Sequence, residues 1–148
     1  TGFAKQQAQA KAHPEVQRLL KEMNSSYLHS NDYQHIIGIC EKIITLNDVI
    51  IDPYEVLADI YSEMRDFNRK YVVKQIAARI LKTDTACWLE CARLANSPEI
   101  GEIIEAKKFY NRAIQLCSNL ADRKVLIKLK LEKFEIYKKL HDFQCINR

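Results

Sequence analysis

The chain has 148 residues, about the length of one domain, and its 47% apolar and 28% charged residues are typical of a soluble globular protein. Three glycines and three prolines are too few for the frequent turns of a β-sandwich or barrel. A formal net charge of +4 is too small to predict strong nonspecific DNA binding, and no apolar run is long enough to predict a membrane span.

The N-terminal segment, residues 1–13, is rich in Gln, Ala and Lys. This composition predicts either a linker or an extension of the first helix. Residues 14–148 are predicted to form an array of helix pairs, with repeats at about 17–50, 51–84 and 85–120 and a partial repeat at 121–148.

The repeats are indicated by similar residues that recur 34 positions apart, as in Tyr27/Tyr61, Asp32/Asp66 and Leu20/Tyr54/Trp88. This spacing resembles the tetratricopeptide pattern, whose second half is clearest at Ala106, Tyr110 and Ala113. The resemblance implies an all-α solenoid of antiparallel helix pairs wound into a right-handed superhelix. Because the chain lacks an initial Met and stops within the fourth repeat, we expect a fragment of a longer array.

Local signals place several boundaries within the array. Asp52-Pro53 and Ser97-Pro98 each combine a capping side chain with a proline at the first helical position, which predicts two helix starts. The fourth repeat is predicted to begin at Asp122 and to turn at residues 141–143. The aromatic ladder is predicted to pack in the core and comprises Tyr27, Tyr54, Tyr61, Trp88, Phe109, Tyr110 and Tyr137.

The five cysteines are Cys40, Cys87, Cys91, Cys117 and Cys145. Their odd number and scattered positions predict reduced thiols that act as small core residues. Cys87 and Cys91 would share a helix face, but zinc requires two further ligands that the neighbouring sequence does not supply. We therefore predict no metal site and no cofactor.

Motifs for catalysis are missing from the sequence, which holds no Gly-rich phosphate loop, no G-x-S-x-G and no H-E-x-x-H. The prediction is a protein without enzymatic activity, without a small-molecule substrate and without a membrane partner. In repeat arrays the first helices line the concave face that binds partners. The candidate binding residues on that face are Lys21, Ser25, His29, Glu55, Asp59, Ser62, Glu90, Arg93, Lys128 and Glu135.

The segment 123–139 holds seven basic residues and two acidic ones, Glu132 and Glu135. One interpretation is an amphipathic helix whose lysines extend along its core stripe to reach solvent. The alternative is an electropositive site for an acidic protein segment or for nucleic-acid phosphates. Aromatic side chains do not alternate with the lysines on the exposed face, which disfavours single-strand binding.

A more specific resemblance extends from His13 to about Leu140. The sequence resembles the tetratricopeptide-array subunit of RNA polymerase III transcription factor IIIC in the segments Pro14–Leu20, Asn31–Tyr33, Ile39–Ile44, Ala77–Leu81, Asp84, Trp88 and Glu105–Ile114. The resemblance implies a nuclear scaffold whose partners are other factor IIIC subunits and the TFIIB-related subunit of factor IIIB. Direct DNA binding is expected to be weak or absent. The alternatives are a tetratricopeptide adaptor of another complex and a nucleic-acid contact through residues 123–139.

Overall fold

The computed structural model describes residues 2–117 and 123–146. These residues form eight α-helices and no strand. The chain divides into two compact units, Thr1–Leu81 and Lys82–Arg148, and each is described by itself. The prediction of an all-α protein is confirmed.

Unit 1 contains five helices: α1 Gly2–Lys11, α2 Pro14–His29, α3 Tyr33–Leu46, α4 Asp52–Glu63 and α5 Phe67–Leu81. The connections from α2 to α3 and from α4 to α5 are three residues long, so each pair forms an antiparallel hairpin. Helix α3 also contacts α4, which joins the two hairpins. Met23, Ile36, Ile43 and Ile60 are completely buried between these helices.

Asp32 and Asp66 recur in the sequence because each lies at a turn and caps the helix that follows. The Asp32 carboxylate accepts a hydrogen bond from the backbone N–H of His35 at 3.2 Å. Asp66 accepts from the backbone N–H of Arg69, also at 3.2 Å. Each carboxylate satisfies a backbone donor that the first turn of a helix leaves without a partner. The repeat therefore encodes the start of each second helix.

The start of α4 differs from the predicted arrangement at Asp52-Pro53. The residue before the helix is Ile51, and no side chain caps this end. Asp52 lies inside the helix, and its carboxylate pairs with the Lys11 ammonium at 2.8 Å. The predicted capping role of Asp52 is wrong because α1 brings a cation to its side chain.

Helix α1 lies within the segment 1–13 and contacts the connection between α3 and α4. The Gln7 side chain is only 6% exposed. Its amide nitrogen donates to the carbonyl of Val49 at 2.7 Å, and its oxygen accepts from the N–H of Ile51 at 3.1 Å. One side chain thus satisfies two backbone groups more than 40 residues away.

Unit 2 contains α6 Thr85–Asn96, α7 Ile103–Leu116 and α8 Arg123–Ile146, with α7 in contact with both other helices. Completely buried residues of this unit are Cys91, Ala92, Ala95, Ala106, Ala113, Leu129 and Ile136. The many alanines allow close helix approach, because a small side chain leaves room for a larger neighbour. Helix α6 is capped by Asp84, which accepts from the N–H of Cys87 at 3.1 Å.

The Ser97-Pro98 segment is not a helix start, contrary to the prediction. Helix α6 ends at Asn96, and residues 98–100 form a turn in which Gly101 donates to the Ser97 carbonyl at 2.7 Å. Gly101 has φ +67°, a left-handed conformation that glycine adopts without steric penalty. This backbone change delays the start of α7 to Ile103.

The predicted turn at residues 141–143 is also wrong, because α8 runs without interruption from Arg123 to Ile146. The last part of this helix contains neither glycine nor proline, the residues that most often end a helix. The predicted start of the fourth repeat at Asp122, and its boundary at 120/121, lie outside the described residues.

The aromatic ladder is confirmed as core at Tyr54, Tyr61, Phe109 and Tyr110, which are all buried. It is wrong at Tyr27 and Tyr137, which are 37% and 44% exposed. The Tyr137 ring faces the ammonium groups of Lys107 and Lys133 at 4.7 and 5.5 Å. Trp88 is half-buried, and its indole N–H donates to the Lys82 carbonyl at 2.9 Å. Tyrosine and tryptophan tolerate such positions because each carries a polar group on an apolar ring.

The cysteine prediction is confirmed for Cys40, Cys87 and Cys91, which are buried. It is wrong for Cys145, which is exposed, and Cys117 is intermediate. Burial raises the pKa of the Cys40 thiol to about 12, so this group remains a neutral thiol near neutral pH.

We expect a thiol reagent at pH 8 to modify Cys145 rapidly in the folded protein and Cys40 only after denaturant is added. The reason is that the thiolate is the reactive form, and burial disfavours it at Cys40. Because the folded pKa is raised, the contribution of Cys40 to stability is complete below pH 9 and is lost as the pH rises towards 12. Mass spectrometry of the labelled peptides measures both rates, and rapid native labelling of Cys40 would contradict its burial.

Candidate partner-binding surfaces

The predicted residues of α2, Lys21, Ser25 and His29, are all exposed. The side of α2 that faces α3 is marked by Glu22, whose carboxylate lies 3.7 Å from the His35 imidazole. Ser25 and His29 follow Glu22 by three and seven residues, so they lie on this same side of the helix. They are therefore turned away from the side of α2 that contacts α4.

The side of α2 towards α4 is marked by Tyr27. Its hydroxyl donates to the Asp59 carboxylate on α4 at 2.9 Å. Burial raises the pKa of Tyr27, and the hydrogen bond to Asp59 and its charge raise it further. Of the predicted residues, Asp59 is thus brought to the junction of the two first helices.

Two residues beside Tyr27 were missed by the sequence analysis. Asn24 precedes Tyr27 by one turn, and Leu28 follows Asn24 by four residues on the solvent side. Leu28 is 76% exposed, the largest value among the exposed large apolar residues of the described chain. The sequence does contain a signal for this surface, which is the apolar Leu28 directly after Tyr27. The signal was missed because Tyr27 was predicted to lie in the core.

The predicted residues of α4 form a row at positions 55, 59 and 62. Burial raises the pKa of Glu55, as does the Asp52 charge, whereas Lys74 and Lys11 lower it. The Ser62 hydroxyl accepts a hydrogen bond from the Lys70 ammonium of α5 at 3.2 Å. The row is therefore shared between the α2 side, through Asp59, and the α5 side, through Ser62.

In unit 2, Arg93 connects the two helices that carry the predicted residues. Its guanidinium donates to the Glu132 carboxylate of α8 at 2.9 Å. This hydrogen bond raises the pKa of Arg93. Burial, together with the Glu132 charge, raises the pKa of the neighbouring Tyr110 to about 12. Glu90 is exposed and precedes Arg93 by one turn of α6.

Lys128 and Glu135 are exposed and lie one turn before and after Glu132. Because Glu132 contacts α6, all three lie on the α6 side of α8. Lys139 extends this row, and its ammonium donates to the Asn96 side chain at 3.0 Å. Three of the predicted residues, Arg93, Lys128 and Glu135, thus lie around Glu132. The sequence had indicated Glu132 only as one of two acidic residues in the basic segment.

The basic segment is helical and packs on its unit through Leu129 and Ile136, which are completely buried. Several of its lysines contact side chains of unit 2, as Lys133 and Lys139 show. Within the described ranges, Lys124, Lys128 and Lys130 have no carboxylate within ion-pair distance. The basic excess therefore persists on part of the helix surface.

Two surface cavities lie away from the predicted binding residues. One, of about 580 Å³, lies in unit 1 and is lined by Glu15, Gly38, Glu41, Lys42, Thr45 and Leu46. The other, of about 350 Å³, lies in unit 2 and is lined by Gly101, Glu102, Ile103, Ile104, Glu105 and Leu140. In the part of the chain that the structure describes, no three His, Cys, Asp or Glu residues are grouped to hold a metal ion. Across these same residues, no helix has both the length and the apolar character of a membrane span.

No protein-family model matches the chain, and no curated protein matches it. Solved structures do share its fold. The type III secretion translocator chaperone SycD of Yersinia enterocolitica matches with a TM-score of 0.59 and 13% identity, over 85% of this chain and 86% of that chain. A type III secretion complex from Aeromonas hydrophila matches with a TM-score of 0.61 and 11% identity, over 88% of this chain and 85% of that chain. The helix pairs and these likenesses together show an all-α, tetratricopeptide-like fold.

Proposed function

We propose that the protein is a non-catalytic module that binds a protein partner through the exposed faces of its first helices. The observation that carries the proposal is the surface at α2 and α4. There, Leu28 is 76% exposed and follows Tyr27, whose hydroxyl is hydrogen-bonded to Asp59, and the exposed Asn24 lies one turn before Leu28. An exposed apolar side chain next to polar groups of this kind is the composition of a protein-binding surface.

The specific role we propose is that of a nuclear scaffold in transcription factor IIIC. It would help to assemble the RNA polymerase III initiation machinery and recruit the TFIIB-related subunit of factor IIIB. Support comes from the sequence resemblance between His13 and Leu140. The role of Asp84 and Trp88, two residues of that resemblance, is structural here: Asp84 caps α6, and Trp88 donates to the backbone of Lys82.

The fold likeness supports binding of protein segments in a more general way. One neighbour is described as a translocator chaperone, which is a protein that acts on other proteins. An adaptor of another multiprotein complex would use the same surface on α2 and α4. The two roles differ in the identity of the partner, so the experiment must identify it.

The test is a photo-crosslinking amino acid placed at Leu28 of the tagged full chain, with capture from a nuclear extract of the source cells. The matched control carries the crosslinker at Val72, a 54% exposed position on the second helix α5. We expect adducts at Leu28 and few at Val72, and mass spectrometry of these adducts identifies factor IIIC or factor IIIB subunits.

Two results would change this conclusion. Adducts with an unrelated complex at Leu28 would retain the binding module but reject the factor IIIC role. Equal adducts at Leu28 and Val72, or none at either position, would reject the first-helix surface as the binding site.

A further inference from the structure

A second apolar surface lies on α8, separate from the proposed binding surface on α2 and α4. Ile127, Leu131 and Phe134 follow one another at intervals of four and three residues, which places them on one side of a helix. They are 51%, 62% and 58% exposed. Leu129 and Ile136, completely buried, mark the opposite side. Helix α8 is thus apolar on two sides, and only one of them packs against its unit.

The length of this outer stripe matches the apolar face of a partner helix. Seven residues separate Ile127 from Phe134, which corresponds to about 10 Å along the helix at about 1.5 Å per residue. An amphipathic helix that presents apolar residues at i, i+3 or i+4, and i+7 matches this length. Large apolar side chains exposed in a contiguous row indicate an interaction site rather than ordinary surface.

The charges beside the stripe define the chemistry of its partner. Lys124 precedes Ile127 by three residues and Lys130 follows it by three, so the two lysines flank the stripe on either side. Lys138 continues the stripe, and its ammonium lies 6.0 Å from the centre of the Phe134 ring. The one acidic contact of this lysine in the described chain is Glu135, at 3.7 Å. The border of the stripe is therefore mainly positive.

We propose that the outer face of α8, defined by Ile127, Leu131 and Phe134 with Lys124 and Lys130 at its edges, binds an acidic amphipathic helix of a partner protein. Leucine-like side chains of the partner cover the stripe, and its carboxylates pair with the lysines. A second copy of this chain is disfavoured, because face-to-face packing brings lysines against lysines. A nucleic acid is disfavoured because two of the three residues of the stripe, Ile127 and Leu131, are aliphatic, so successive bases would find only one aromatic ring, Phe134, for stacking.

The test uses a fluorescent helical peptide of about 18 residues, with leucines at i, i+4 and i+7 and glutamates at the flanks. A second peptide has the same composition with its leucines redistributed around the helix. Binding to the full chain is measured by fluorescence anisotropy. We expect the striped peptide to bind at least about tenfold more tightly than the redistributed one, since only the former presents a continuous apolar face.

Variants locate the site. The double substitution Leu131→Ser with Phe134→Ser is expected to weaken binding by at least about tenfold. The matched control, Leu46→Ser with Val72→Ser, removes two exposed apolar side chains of unit 1 that lie outside both proposed surfaces and leaves affinity unchanged. Lys124→Glu with Lys130→Glu, which leaves the apolar stripe intact, is expected to weaken binding about three- to tenfold at low salt and less at high salt. Circular dichroism verifies that each variant keeps its helix content.

Three outcomes would overturn the proposal. Equal affinity for both peptides would show charge attraction without an apolar site. Dimerisation of the full chain in sedimentation equilibrium, abolished by the Leu131 and Phe134 substitutions, would make a second copy the occupant. DNA binding that depends on Lys124 and Lys130 but not on Leu131 would assign the face to nucleic acid. The Leu28 crosslinking result tests the first-helix surface independently.

Discussion

Replacement of Tyr61 by alanine is expected to lower the free energy of unfolding by about 3–5 kcal/mol. The ring is 9% exposed and lies on α4 among the buried residues of unit 1. Its removal takes apolar area out of the core and leaves a cavity that the neighbouring helices fill only in part. Denaturant unfolding followed by circular dichroism measures the change.

The matched control is Tyr27→Ala, the equivalent substitution 34 residues earlier. Tyr27 is 37% exposed, and its hydroxyl makes one hydrogen bond to Asp59 at the surface. The expected loss is about 1 kcal/mol, because an intramolecular hydrogen bond that competes with water contributes little net stability. Equal losses in the two variants would show that the two positions do not differ in burial as described.

The second large effect is expected for Gln7→Ala, at about 2–4 kcal/mol. The substitution leaves the Val49 carbonyl and the Ile51 N–H without the partner that now satisfies them. Unsatisfied polar groups away from water are costly, since they lose the hydrogen bonds that they make in the unfolded chain. Hydrogen exchange of the Ile51 amide gives a local measurement, and we expect an acceleration of about 30-fold or more.

Gln6→Ala is the control for this experiment, because Gln6 is exposed in the same helix. Its expected effect is within about 0.5 kcal/mol. If Gln7→Ala changed neither the unfolding free energy nor the exchange of Ile51, α1 would not be held against the α3–α4 connection in solution.

The candidate surfaces show which parts of a binding site the repeat pattern predicts. The spacing places Asp59 and Arg93 on exposed sides of first helices. Asp59 contacts the preceding first helix of its unit, α2, and Arg93 contacts the following helix of its unit, α8. The spacing does not identify their partners, Tyr27 and Glu132. A helical period fixes the angle of a residue around its own helix, whereas the neighbour on each side depends on how the helices pack.

The amino-acid sequence alone contains the signals for the helical hairpins and for the starts of several helices, although the cap predicted at Asp52 and the helix start predicted at Ser97 were wrong. The signals for these features are local: Asp32, Asp66 and Asp84 each bond a backbone N–H three residues ahead. Such hydrogen bonds form within one turn of the chain and need no distant partner. Because each 34-residue repeat is built from such local signals, the period could be recognised from the sequence without the structure.

The tertiary structure alone decided which members of the pattern are buried. Tyr27 and Tyr61 occupy equivalent repeat positions, yet only Tyr61 is enclosed by its neighbours. Gln7 became a core residue through hydrogen bonds to Val49 and Ile51, and the outer face of α8 stayed exposed although it is apolar. Burial is a property of contacts between residues distant in the chain, so a period along one helix cannot specify it.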